Sequence, residues 1–281
     1  CCFHNTTPVE GLINPIGADG NFIADPLFVD KIAGDYHLTP GSPCVNTGWD
    51  NAPGLPALDI DGNPRIALGA VDIGAYEFQR PDTSTPLGAA KDSPEGLWLS
   101  LESPVVSAAM DDFFYAQEPD RSCGIGVSSY GHTLLPGTTV DILGRIKTNS
   151  RGERYIDAFD VSAVGSGAVG PLAMSNRQLG GEPRTPSGQS GVLGGSGLNN
   201  IGLLVTTWGR VTYASTGYFY IEDGSNLNDG SGIAGLKVLT NGLPAPSQGE
   251  MVQVTGISSC FKPDADLRRQ ILATRILTCS E

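Results

Sequence analysis

The residues best suited to chemistry in this chain fall into three groups: oxygen-rich loops, three histidines and two short aromatic runs. "DIDGNPR" (Asp59 to Arg65) places Asp59, Asp61 and Asn63 at alternate positions, as the start of an EF-hand calcium loop does. Such a loop needs glycine sixth for its sharp turn; here glycine is fourth and Pro64 is sixth. The stretch therefore reads as a turn whose Asp and Asn cap backbone groups, with calcium at Asp59, Asp61 and Asn63 the weaker alternative. "EDGSNLNDGSG" (Glu222 to Gly232) is rich in oxygen ligands without a recognisable order, and reads as a hairpin. His4, His37 and His132 accompany no nucleophile elbow, zinc helix or nucleotide loop. "GSGAVG" (Gly165 to Gly170) satisfies a dinucleotide fingerprint literally but runs toward Pro171 with no helix pattern after it. Asp111 and Asp112 are adjacent, so in a strand they point to opposite faces and do not make the facing pair of a glycosidase.

The aromatic runs are "DFFYAQEPD" (Asp112 to Asp120) and "GYFYIEDGS" (Gly217 to Ser225). Strand alternation turns Phe114, Phe219 and Ile221 inward and leaves Phe113, Tyr115, Tyr218 and Tyr220 outward. Those four are the expected ligand or partner face, with packing beneath a neighbouring domain the favoured use.

Composition bounds the elements that carry these residues. The chain has 281 residues, with 38 glycines and 20 prolines, which favours many short strands over helices. The formal charge is −13, and no region is basic. Polyanion binding draws its affinity from Lys and Arg, so nucleic acid and anionic lipid are disfavoured partners. No apolar run is long enough for a membrane helix, and Cys1-Cys2-Phe3-His4 lacks the basic start and apolar run of a signal peptide. Six cysteines occur without zinc spacing. An even count suits an exported chain with disulfides; Cys260 with Cys279 is the first expected pair and Cys2 with Cys44 the second.

Three regions follow along the chain. In residues 1–80, brief apolar runs alternate with Gly, Pro, Asn and Asp. The string "ADPLFVD…GDYHLTPGSPCVNTG…DIDGNPR…GAVDIGAYEF" resembles the C-terminal closing segment of bacterial secreted right-handed parallel β-helix proteins. The resemblance implies export and gives His37 a structural place. "CCFHNT" then reads as the strand of one last coil, whose open side needs covering. Either the chain belongs to a longer protein or another subunit covers that edge. Residues 81–94, rich in Pro, Ser, Thr and Gly, read as a linker.

Residues 95–165 and 197–281 repeat one strand order: "GIGV" at Gly124 matches "GLKV" at Gly235, and "GTTVDILGRI" matches "GEMVQVTGI". Five short strands in each fit a small closed barrel. The pattern, with "TWGRVT" and "YFYIEDGS", resembles the OB-fold domains of exported bacterial surface proteins. Residues 166–196 then read as an ordered Gly-rich connection packed on a barrel.

The expected fold class is all-β: a β-helix cap segment plus two OB-like five-stranded barrels. The expected function is non-enzymatic, an extracellular or cell-surface structural and adhesion protein that self-associates or meets other surface proteins through its N-terminal β-edge. A carbohydrate-binding accessory region taking neutral glycans is the alternative, and single-stranded nucleic-acid binding is set against by charge. No catalytic residue or cofactor is expected beyond the weak calcium alternative, and no membrane insertion.

Overall fold

A computed structural model describes residues 2–3, 20–80 and 84–279. The chain divides into two compact units, Cys1–Asp82 and Thr83–Glu281.

In the first unit, β1 (Cys2–Phe3) and β2 (Phe22–Ile23) pair in parallel, Cys2 opposite Phe22. β3 (Phe28–Asp30) and β4 (Asp35–Leu38) form an antiparallel hairpin. Most of the remaining described residues are turns, and polar side chains organise them. Asp72 accepts from the amides of Asn46 and Phe78, and Glu77 accepts from the amide of Asp72. Burial raises the pKa of Asp72 and pushes Glu77 up to about 7, while Arg65 lies 3.2 Å from Glu77. Leu38, Cys44 and Val45 form the small core, with Cys2 and Phe22 packed on it. No stack of coils is present among the described residues, and the rest of "CCFHNT", His4 included, lies outside them.

The second unit begins earlier than composition suggests. Part of the expected linker is helix α1 (Leu87–Asp92), started at Pro86 and capped where Glu118 accepts from the amide of Leu87. Leu87 and Ala90 enter the first barrel's core, so apolar spacing overrides a linker-like composition. Residues 81–83 lie outside the described residues.

The first barrel contains β5 (Trp98–Leu101), β6 (Val105–Met110), β7 (Phe113–Gln117), β8 (Gly124–Ser128), β9 (Thr138–Thr148) and β10 (Arg154–Ser166). The ladder runs β6-β7-β8-β10-β9 and closes where β6 meets β9, with β5 also on β9. β5 and β6 are one barrel strand broken at Glu102–Pro104, where proline has no amide to give to a ladder.

After it come β11 (Leu172–Ala173) and a short 3-10 turn at Asn176–Gln178. This connection packs on the second barrel: Leu179 enters that core and Asn176 bonds the Ile221 carbonyl and the Thr207 hydroxyl. The second barrel is β12 (Leu204–Ser215), β13 (Tyr218–Glu222), β14 (Leu236–Leu239), β15 (Met251–Phe261) and β16 (Arg268–Thr278). Its ladder runs β12-β13-β14-β16-β15 and closes β15 on β12. Both are closed five-stranded barrels with one strand order, that of the OB-fold.

Glycine marks the shared bend. Gly144 on β9 and Gly256 on β15 sit beside register shifts in the ladders to β10 and β16. A Cβ on Gly144 would come within 2.7 Å of the Asp157 carbonyl oxygen, and one on Gly256 within 2.2 Å of the Leu272 carbonyl oxygen. Only glycine lets these backbones approach so closely.

Candidate functional site

The alternation of the aromatic strands holds at its inward positions. Phe114, Phe219 and Ile221 are fully buried in the barrel cores. The outward positions separate.

On the first barrel, Tyr115 is 3 % exposed and packs with Ala108 against Leu204, Ile257 and Leu272 of the second. Phe113 lies against the same cluster, 5.3 Å edge-to-face from Tyr115. Polar groups buried alongside join the two barrels. Lys91 donates to the carbonyls of Gly124, at 3.1 Å, and Ile201. Glu153 accepts from Ser259 at 2.7 Å and faces the Tyr115 hydroxyl. Gln117 accepts from the amide of Leu204 at 3.0 Å. Burial lowers the pKa of Lys91 and raises those of Glu153 and Tyr115. Gly124 and Gly202 meet here backbone to backbone, since a Cβ on either would come within 2.4 Å of the other's carbonyl oxygen.

On the second barrel, Tyr220 is also buried, with its hydroxyl 2.7 Å from Asp229 of the β13/β14 loop. Tyr218 remains partly exposed and stacks on Tyr213 at 5.9 Å. Its pKa is raised, first by the hydrogen bond its hydroxyl donates to Tyr213. Lys237 on β14 reaches across, its ammonium 5.1 Å from the Tyr218 ring centre and 4.5 Å from that of Phe261. The result is an aromatic platform of Tyr213, Tyr218 and Phe261 with one cation held over two of its rings. Such a platform can stack flat rings of a sugar or base. Tyr213, Lys237 and Phe261 come from three different strands; strand pairing brings them together, and their spacing along the chain gives no sign of it.

The oxygen-rich loops are turns. Asp59 accepts from the amides of Asp61, Asn63 and Glu77, which accounts for both carboxylate oxygens. Asp61 instead meets His37 Nε2 at 2.6 Å, while Asp35 meets Nδ1 at 2.6 Å. The bonds to Asp61 and then Asp35 raise the pKa of His37. Among the described residues no group of three or more His, Cys, Asp or Glu is arranged to hold a metal ion. In this arrangement Asp59 serves backbone amides and Asp61 serves His37. In the second loop, Asp223 and Asp229 accept from the amides of Ser225 and Ser231.

The expected Cys260–Cys279 disulfide is corrected. The five described cysteines are all free thiols. Cys260 pairs with Arg269 near the β15/β16 turn, whereas the amide of Cys279 bonds Met251 at the other end. At about 3.3 Å per residue these ends lie on the order of 30 Å apart. Flanking a hairpin in sequence separated the two residues along it.

Between the barrels lies an open cleft of about 660 Å³, walled by β6 with Asp111 on one side and by Asn241, Thr255 and Arg275 on the other.

No family model and no curated protein matches the chain. Among solved structures, one match is the hypothetical protein ygiW from E. coli, at 24% identity over 29% of this chain and 90% of that one, with a TM-score of 0.26. The OB description rests on strand order and closure rather than on that likeness.

Proposed function

We propose that the chain is a non-enzymatic structural and adhesion module of an extracellular or cell-surface protein. In this reading residues 1–80 close a parallel β-helix, and the barrels form a stiff appendage. The observation that carries it is the contact between the barrels: Tyr115, Lys91 and Glu153, all buried, are spent on holding one barrel to the other. Burying a lysine and a carboxyl is costly and does not in itself favour folding, so their use here suits a fixed mutual geometry. The parallel pairing of β1 with β2 supports a coil edge that meets further strands, from the same protein or another subunit. Sedimentation velocity across a wide concentration range tests the assembly. Reversible association, weakened by a proline at Phe22, is expected; a strict monomer at every concentration would remove self-association.

The second reading is glycan binding, favoured by the Tyr213, Tyr218 and Lys237 platform. A neutral sugar suits an acidic protein better than a polyanion does. Hits on a glycan array that Tyr218→Ala abolishes are expected; an array without hits, or hits indifferent to that change, ends this reading. Binding of a labelled oligonucleotide at low salt would revive the nucleic-acid alternative.

A further inference from the structure

We propose that Cys2 and Cys44 form a disulfide when the folded protein meets a disulfide oxidant, stapling the first strand to the turn after β4. Cys2 lies on β1, and Cys44 is 1 % exposed in the core on which Cys2 packs. The Cys2 thiol packs on the cluster that holds Cys44, donates to the Ala24 carbonyl oxygen at 3.4 Å, and lies near enough to Cys44 to help raise its pKa. They are far apart in sequence, so only the fold brings them together.

Their environments set the order of events. Burial, followed by the Cys2 thiol, pushes Cys44 up to about 12. It is therefore a poor first nucleophile. Cys2, only half-buried, attacks first: its thiolate adds to one sulfur of a small disulfide and expels the other as a thiolate. Cys44 then gives up its proton and attacks the Cys2 sulfur of the mixed disulfide, releasing the second small thiolate. Two protein thiols are oxidised and one small disulfide is reduced to two thiols.

The bridge would matter because the β1/β2 ladder is only two residue pairs long. A two-stranded ladder that short is marginal by itself. A crosslink closing a loop of roughly forty residues restricts the unfolded chain strongly.

The full chain is purified reduced, equilibrated with oxidised glutathione, alkylated and mapped by mass spectrometry. The expected product is a peptide linking Cys2 to Cys44, with amide exchange in β1 to β4 slowed by at least about tenfold relative to the reduced chain. Cys44→Ser should abolish both changes, whereas Cys279→Ser should affect neither. Recovery of Cys2 and Cys44 both alkylated, or of Cys44 linked to Cys1 with Cys2 alkylated, would overturn the assignment. The mapping is made on the native sequence, so it decides the matter even if Cys44→Ser does not fold. Because the oxidant is supplied in vitro, the result is independent of where the protein resides.

Discussion

The two barrels share a strand order, a bend at a β9 or β15 glycine and an inward phenylalanine, yet their outer aromatic faces meet different neighbours. Tyr115 of the first barrel is sealed against Leu204, Ile257 and Leu272. Tyr220, its counterpart by strand repeat, is buried too, but against Asp229 of its own barrel's β13/β14 loop, while Tyr218, the counterpart of Phe113, stays partly exposed beside Tyr213 and under Lys237. A duplicated strand therefore supplies one face that joins the barrels and one left partly open. Alternation assigns the side of the sheet, and what covers that side depends on the neighbour.

The sharpest way to break this comparison is to truncate the sealed ring. Tyr115→Ala should cost about 3–5 kcal/mol by denaturant unfolding, because it opens a cavity between two closed barrels. A loss below about 1 kcal/mol would mean the barrels do not depend on that contact. Next, Gly144→Ala and Gly256→Ala test what the barrels share. Each should cost about 1–3 kcal/mol, since the new methyl meets backbone atoms that cannot rotate away. A large loss at one glycine and none at the other would show that the bends are not equivalent.

A third test uses pH. Burial raises the pKa of Glu153, which faces Lys91, Tyr115, Arg151 and Ser259. A carboxyl raised in the folded state keeps its proton while the unfolded chain releases one. Stability therefore falls as pH rises above the ordinary Glu value of about 4.3 until the raised folded value is passed. Glu153→Gln should flatten that slope in a pH series of melting curves, and an unchanged slope would locate the proton elsewhere. The smallest effect is at the open face: Tyr218→Ala should leave the unfolding midpoint nearly unchanged while removing any platform ligand.

Much of the barrel was legible because it rests on local rules. Period-two alternation committed Phe114 and Phe219 to the cores, and the match of "GTTVDILGRI" with "GEMVQVTGI" showed the strand pattern to be duplicated. The platform was only half legible: Tyr218 could be placed on an outer face, but Tyr213, Lys237 and Phe261 come from three other strands. The same limit explains the disulfide correction and the turn at Asp59. Cys260 and Cys279 flank a hairpin in sequence and end far apart along it. Asp59 and Asp61 share one short turn, yet Asp59 accepts from backbone amides while Asp61 meets His37, a residue 24 positions away.

By itself, then, the sequence determined an all-β chain with two copies of a five-strand pattern, each with its inward residues, because these follow from the geometry of single strands and turns. Tertiary structure alone decided that α1 enters the first barrel, that Tyr115 is sealed while Tyr218 is not, and that Cys260 and Cys279 lie at opposite ends of their hairpin. Those outcomes depend on which distant surfaces come to exclude water together, and strand periodicity carries no record of that.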